Sequence, residues 1–314
     1  MIWSRRCRYD PEVDAVNRLL HRMGDYQIPR LPQLTNIIEF APIPSAGVTH
    51  SLKEACYERA EALLKQQAKP LLLFSGGVDS SLALAALAKQ KGDRPLIVGV
   101  TPTAVEHTDV RFIKWLVEQG CTFQNGEHPS LKPFTQNRGF IITGALGDNL
   151  VLGDAAGFFQ LKDRVWSMEV AELFEHITGR SGGDKQYHAY RHVFKHMPSD
   201  MEHTPSNLVW WMGFCFLWHR TSLLLTVSND LGPIGECHVP FFISDPLQRW
   251  MMQDTRVRCG QSAATHKDKL IEVIWEMVGF EFHVPQKTAG WDDVFAPGPD
   301  DLISIDSSWN ITRL

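Results

Sequence analysis

The feature that most constrains this chain is the stretch PLLLFSGGVDSSLALAAL, Pro70 to Leu87. Leu71–Phe74 is an apolar run without alternation, which reads as a short strand buried on both faces. A run that short cannot bury itself; it needs sheet neighbours beside it and helices above and below. Ser81–Lys91 reads as the first of those helices. The same alternation continues with PLIVGV as a second strand, Thr108–Gln119 as a second helix, CTFQNG as a third and weaker strand, and GFIITGAL as another. Strands separated by helical patterns predict an α/β fold with a parallel sheet covered on both faces.

The rest of the chain is organised around this core. Residues 1–50 read as an N-terminal extension, with a helical PEVDAVNRLLHRM followed by a proline-rich stretch. THSLKEACYERAEALLKQQ reads as an amphipathic helix capped by Thr49 or Ser51. Residues 51–155 form the α/β core of this reading, and 156–314 a mostly helical region, because strand signals fade after about residue 155. LKDRVWSMEVAELFEHITG, SNLVWWMGFCFLWHRTSLLLTVSN and HKDKLIEVIWEMVGF all read as helices. GRSGGDKQYHAY, 179–190, reads as a mobile loop, and the terminal PGPDDLISIDSSWNITRL as loop. Trp210, Trp211 and Trp218 read as part of a thick helical core.

Bulk properties exclude several classes of function. The net charge of −5 provides no global basic field for nucleic acid or an anionic membrane. No run of about 18 apolar residues is present, so no membrane span is expected. The six cysteines form no Cys-x-x-Cys pair and read as reduced thiols of a cytoplasmic protein.

The chemistry lies in SGGVDSS. Loops at the carboxyl ends of parallel strands run into helix N-termini, where free N–H groups and a partial positive charge hold phosphate. Gly76 and Gly77 lack the Cβ atoms that would keep the backbone away from an anion. Ser75, Ser80 and Ser81 add hydroxyls. Asp79 would repel bare phosphate, but it fits a Mg²⁺ ion held between carboxylate and phosphates. No Gly-x-x-x-x-Gly-Lys-Ser/Thr pattern accompanies the loop.

SGGVDSS after a short strand resembles the pyrophosphate loop of the ATP pyrophosphatases with an adenine nucleotide alpha-hydrolase-like fold. Three further segments resemble the asparagine synthetases within that superfamily, in family order. IITGALGDNLVLG is similar to the motif Ser-Gly-Glu-Gly-Ala-Asp-Glu-Leu-Phe-Gly-Gly, with Thr143, Gly144, Asp148, Leu150 and Gly153 matching. VPFFISDPLQRWMM is similar to the family's Pro-Phe-(Leu/Phe)-Asp segment and following helix. HVPQKTAGWDDVF is similar to the late Arg-x-Lys-x-x-Phe-x-Asp-Gly segment, with Lys287 on the lysine. The resemblance implies a Rossmann-like core of the HUP class with a mostly helical C-terminal half, using ATP and Mg²⁺. It implies cleavage of ATP between the α and β phosphates, with a carboxylate adenylated and passed to ammonia or another amine. It assigns Phe74, Ser75, Gly76, Gly77, Asp79, Ser80, Ser81, Val100, Thr143 and Gly144 to the nucleotide, Asp79 and Asp148 to the metal, and Lys287 and Asp148 to catalysis.

The departures bear on the substrate. Ala145 and Leu146 replace the family's Glu-Gly, and Asn149 replaces the second acid of its Asp-Glu. Residue 2 is isoleucine where the family's glutaminase domain begins with cysteine, and about 50 residues do not make that domain, so glutamine is not the expected nitrogen source. Free ammonia, another amine, or an amine within the substrate, as in β-lactam synthetases, remain open as acceptors. Two other functions stay in view: a nucleobase- or tRNA-modifying enzyme of the same superfamily, and a nucleotide-binding protein without catalysis. His188, His192 and His196 are spaced to share one helical face, with His203 near. That pattern suits a metal site, or a polar helix whose Lys185, Arg191 and Lys195 meet nucleic acid, or a plain solvated face. Glu106, His107 and Asp109 follow the second strand at the ligand-facing edge, where Thr108 or Asp109 suits a helix cap.

Overall fold

A computed structural model describes residues 51–100, 104, 108–125, 141–145, 147, 161–194, 197, 201–212, 238–252, 267–283, 303–305 and 311–313. Leu71–Phe74 forms β1, with all four side chains buried. It lies between β2 (Ile97–Val100) and β4 (Ile141–Thr143), and both pairings are parallel. Outside them pair β3 (Thr122–Asn125) and β5 (His238–Pro240), again parallel, so the sheet order is β3-β2-β1-β4-β5. The chain moves outward to β2 and β3 on one side of β1, then crosses to β4 and β5 on the other. The strand order reverses between β1 and β4, and open parallel sheets bind ligands outside the carboxyl ends of their strands at such a point.

The α/β class and parallel sheet are as the sequence predicts. β5 is the addition: strand character is present after residue 155, in a three-residue element too short for periodicity to reveal. Its place is secured by Arg59, whose guanidinium donates to the carbonyls of Phe241 and Pro240 at 3.0 Å each.

Helix α1 (Leu52–Gln66) starts with a reciprocal box, in which Glu54 N–H donates to Ser51 Oγ and Ser51 N–H donates to Glu54. Such a cap contributes about 1 kcal/mol. The apolar face predicted for α1, with Leu52, Ala55, Cys56, Ala60, Leu63 and Leu64, is buried. Helix α2 (Val78–Gln90) is buried almost throughout, and its Ala83, Ala85, Ala86 and Ala88 let neighbouring elements approach closely. Helix α3 (Val110–Glu118) is capped by Asp109, which accepts from Arg111 N–H at 2.9 Å. Thr108 is instead bonded to the Ala104 carbonyl.

Several expectations for the second half are corrected. The single helix expected over 161–179 is a 3-10 turn, Lys162–Trp166, and helix α4, Val170–Thr178, separated at Ser167–Glu169. The loop expected over 179–190 contains helix α5, Gly183–Tyr190. Gly179 and Gly182 both take positive φ, 62° and 80°, so the chain reverses sharply between the helices. Glu175 then accepts from the N–H groups of Gly182 and Gly183 at 2.8 and 3.1 Å, capping α5 from the preceding helix. A 3-10 turn, Arg191–Phe194, follows, so the helical face that would align His188 with His192 is interrupted. No cluster of histidine, cysteine or acidic residues suited to a metal is present among the described residues.

Helices α6 (Pro205–Met212), α7 (Asp245–Met252) and α8 (Asp268–Val278) complete the described helices, and Trp210 and Trp211 are buried as expected. The tail read as loop contains an antiparallel pair, β6 (Ile303–Ile305) with β7 (Ile311–Arg313). Cys56 and Cys121 are free thiols, both buried. No helix among the described residues is long and apolar enough to cross a membrane. The helix expected near the N-terminus, the remainder of the segment containing Trp218, and Glu106, His107 and His196 lie outside the described residues.

Candidate functional site

β1 ends at Phe74, and the chain enters α2 after only Ser75, Gly76 and Gly77. The helix begins three residues earlier than its apolar pattern indicates, because Gly77 in extended conformation stands at its N-cap. Asp79, Ser80 and Ser81 therefore belong to the first helical turn rather than to a loop. Ser80 and Ser81 hydroxyls donate to the Gly77 carbonyl at 3.0 and 2.9 Å, and the Ser75 and Ser80 hydroxyls are 3.1 Å apart. Ser75 N–H donates to Ser80 Oγ at 3.3 Å. These contacts close the turn on itself and orient the start of α2 at the strand end.

Glycines at two strand ends form the walls. Gly76 has φ 76°, and a Cβ there would lie 2.8 Å from the Ala104 carbonyl oxygen and 2.9 Å from Thr108 Oγ1. The corner after β2 is thus packed against the loop. On the other side, a Cβ on Gly144 would lie 2.4 Å from Ser80 N, and one on Gly147 would lie 2.6 Å from Asp79 Cγ. The turn after β4 is pressed on the first turn of α2, and only glycine permits it. Thr143 is buried at the end of β4 and its Oγ1 accepts from Ala145 N–H at 3.4 Å. Val100 is buried at the end of β2.

Asp79 is the charged centre of this arrangement. One carboxylate oxygen is buried on the side of Gly147, and the other lies 3.9 Å from Lys267 Nζ, at the start of α8. Lys267 carries no signal in the sequence: it belongs to no motif, and only the packing of α8 on α2 brings it here. Asp148 and Lys287 lie outside the described residues. A Cβ on Gly147, the residue before Asp148, would meet the Asp79 side chain.

Compared with known proteins, the chain matches no protein-family model and no curated protein.

The residues present fit a phosphate group with a divalent cation. Gly76 and Gly77 clear the backbone side of the turn, the start of α2 presents N–H groups, and one carboxylate and one lysine flank it. A carboxylate in the first turn of a helix suits a hard cation with oxygen ligands.

Proposed function

We propose that this chain is an ATP-dependent synthetase, forming AMP and pyrophosphate, that adenylates a carboxylate for amide formation with ammonia or another amine. The proposal includes the finer fold assignment, an adenine nucleotide alpha-hydrolase-like core with a mostly helical second half. The observation that carries it is the location of SGGVDSS: it connects the central strand to a buried helix at the point where strand order reverses.

In this reading Ser75, Gly76, Gly77 and the first N–H groups of α2 hold the pyrophosphate portion of ATP. Thr143 and Gly144 border the nucleotide from β4, and Phe74 and Val100 form the apolar base beneath it. Asp79 and Asp148 hold Mg²⁺, which when bound neutralises charge on the phosphate oxygens. The substrate carboxylate attacks the α-phosphorus, the α–β bridging P–O bond breaks, and pyrophosphate leaves with that electron pair. The amine then attacks the acyl carbon, loses a proton, and AMP departs. Lys287 is assigned to the charge that grows on pyrophosphate, an interaction stronger in the transition state than in bound ATP. Lys267 is close enough to Asp79 to offset part of its charge and keep the site from becoming too negative for ATP.

The test is ATP–pyrophosphate exchange over a panel of carboxylates, with and without ammonia. Exchange that depends on one carboxylate and on Mg²⁺ is expected, with the Gly77→Val variant inactive. MgATP binding without exchange for any carboxylate would favour a non-catalytic nucleotide-binding role. No binding of MgATP would overturn the reading.

A further inference from the structure

Helix α8 ends at Gly279 in a left-handed turn, φ 83°, and residues 280–283 then run onto the start of α3. The docking is specific on both its polar and its apolar side. Asp109 accepts from His283 N–H at 3.4 Å while holding the Arg111 guanidinium at 2.7 and 3.1 Å. Arg111 in turn donates to the Glu281 carbonyl at 2.7 Å and lies over the Phe280 ring at 5.3 Å. Phe282 is buried edge-on against Phe112 with ring centroids 5.1 Å apart.

Two routes lead from this contact to the phosphate-binding turn. Phe112 touches Phe74, centroids 6.1 Å apart, and Phe74 is the last residue of β1 before Ser75. Asp109 directly follows Thr108, whose Oγ1 lies 2.9 Å from where a Cβ on Gly76 would stand. The Asp109 side chain is only 8% exposed although Arg111 is half exposed, so the carboxylate is the fixed member of the pair. Asp109 does more than a helix cap requires. One N–H contact satisfies the cap; Asp109 also accepts from His283 N–H, 174 residues away in sequence, and orients the Arg111 guanidinium that reaches the Glu281 carbonyl.

We propose that Asp109 is a positioning residue for the nucleotide site: it holds 280–283 as a strut that fixes the Ser75–Gly77 turn through Thr108 and through the Phe282–Phe112–Phe74 contacts. The inference rests on the function proposed above for its catalytic consequence, but not for its structural one.

Amide hydrogen exchange on the full chain tests the structural part without any ligand. In Asp109→Ala, peptides covering 280–283 and 74–79 should both exchange at least about 10-fold faster. Peptides from α1 and α4 should keep their wild-type rates, which separates loss of the strut from general unfolding. Asp109→Asn keeps a single acceptor oxygen, enough for the cap at Arg111 N–H but not also for His283 N–H, so it should keep wild-type protection at the start of α3 and still leave 280–283 exchanging faster. Phe282→Leu should loosen 74–79 without freeing the start of α3. In exchange kinetics, Asp109→Ala should raise KM for ATP about 10-fold and leave kcat within about threefold. Wild-type protection of 74–79 in both Asp109→Ala and Phe282→Leu would overturn the strut. A wild-type protein that does not bind MgATP would overturn the proposed function while leaving the exchange experiment to decide the strut.

Discussion

At the scale of single residues, glycine positions differ in what they demand, and the difference is measurable. Gly92 takes φ 56° with nothing within 4 Å of where a Cβ would be, so Gly92→Ala should cost only the left-handed backbone strain, about 1–2 kcal/mol. Gly76 has comparable strain, but its Cβ would also collide with the Ala104 carbonyl. Gly76→Ala should therefore lower the urea midpoint clearly more than Gly92→Ala does; equal losses would show that the β2 corner yields easily. Lys287→Ala is the residue-scale test of the chemistry. It should leave MgATP affinity within several-fold and reduce pyrophosphate exchange about 100-fold or more, since one transition-state contact of this kind is worth about 2.7–4 kcal/mol. Wild-type exchange in that variant would remove Lys287 from the mechanism.

At the scale of elements, two polar contacts support the second half. Arg59 on α1 is buried, and burial lowers its pKa to about 10, with Asp245 opposing the shift; it is still charged at neutral pH. Its two bonds end on carbonyls at the carboxyl end of β5. Replacing it with methionine keeps the packing of the stem but removes both donors. Each unsatisfied buried carbonyl costs about 1–3 kcal/mol, so Arg59→Met, which orphans two, should lose about 2–6 kcal/mol in equilibrium denaturation. Near α5, Tyr187 Oη and His203 Nδ1 are 2.5 Å apart. Burial first, and then the Arg191 charge, hold the His203 pKa below its ordinary 6.5. The unfolded chain therefore takes up this proton before the folded one does, and stability falls as pH drops through 6.5 and below. His203→Gln should flatten the decline in urea midpoint between about pH 7.5 and 5; an unchanged slope would mean other groups control it.

At the scale of the whole molecule, ligand binding should be read by every element that meets at the site. A ligand that binds only the folded state stabilises it by about 2.7 kcal/mol at 100 times Kd. Saturating MgATP should raise Tm, and ATP with a chelator should raise it less. Asp79→Asn should lose the Mg²⁺-dependent part of that shift and retain most of the remainder, because Gly76, Gly77 and the start of α2 are unchanged. An identical MgATP shift in Asp79→Asn would take the metal away from Asp79.

The elements legible in the sequence are those in which local pattern and burial coincide. LLLF could only be a doubly covered strand, and the buried residues of α1 repeat at helical spacing, so the α/β class and the loop at the strand end followed from the residues themselves. The start of α2 was less legible, since Asp79, Ser80 and Ser81 are polar yet helical; the Gly77 carbonyl collects both serine hydroxyls, and apolar periodicity cannot register that. In the same way α5 is polar outside and begins between glycines, so its pattern reads as loop, while Glu175 of the neighbouring helix supplies the cap. β5 is three residues long, held by an arginine about 180 residues earlier. The chemistry proposed for SGGVDSS rests on adjacent residues, so it could be argued from one short window. The approach of Lys267 to Asp79 and the Asp109 contact with 280–283 exist only where distant helices pack, because pairings of that separation leave no trace in any window of the chain.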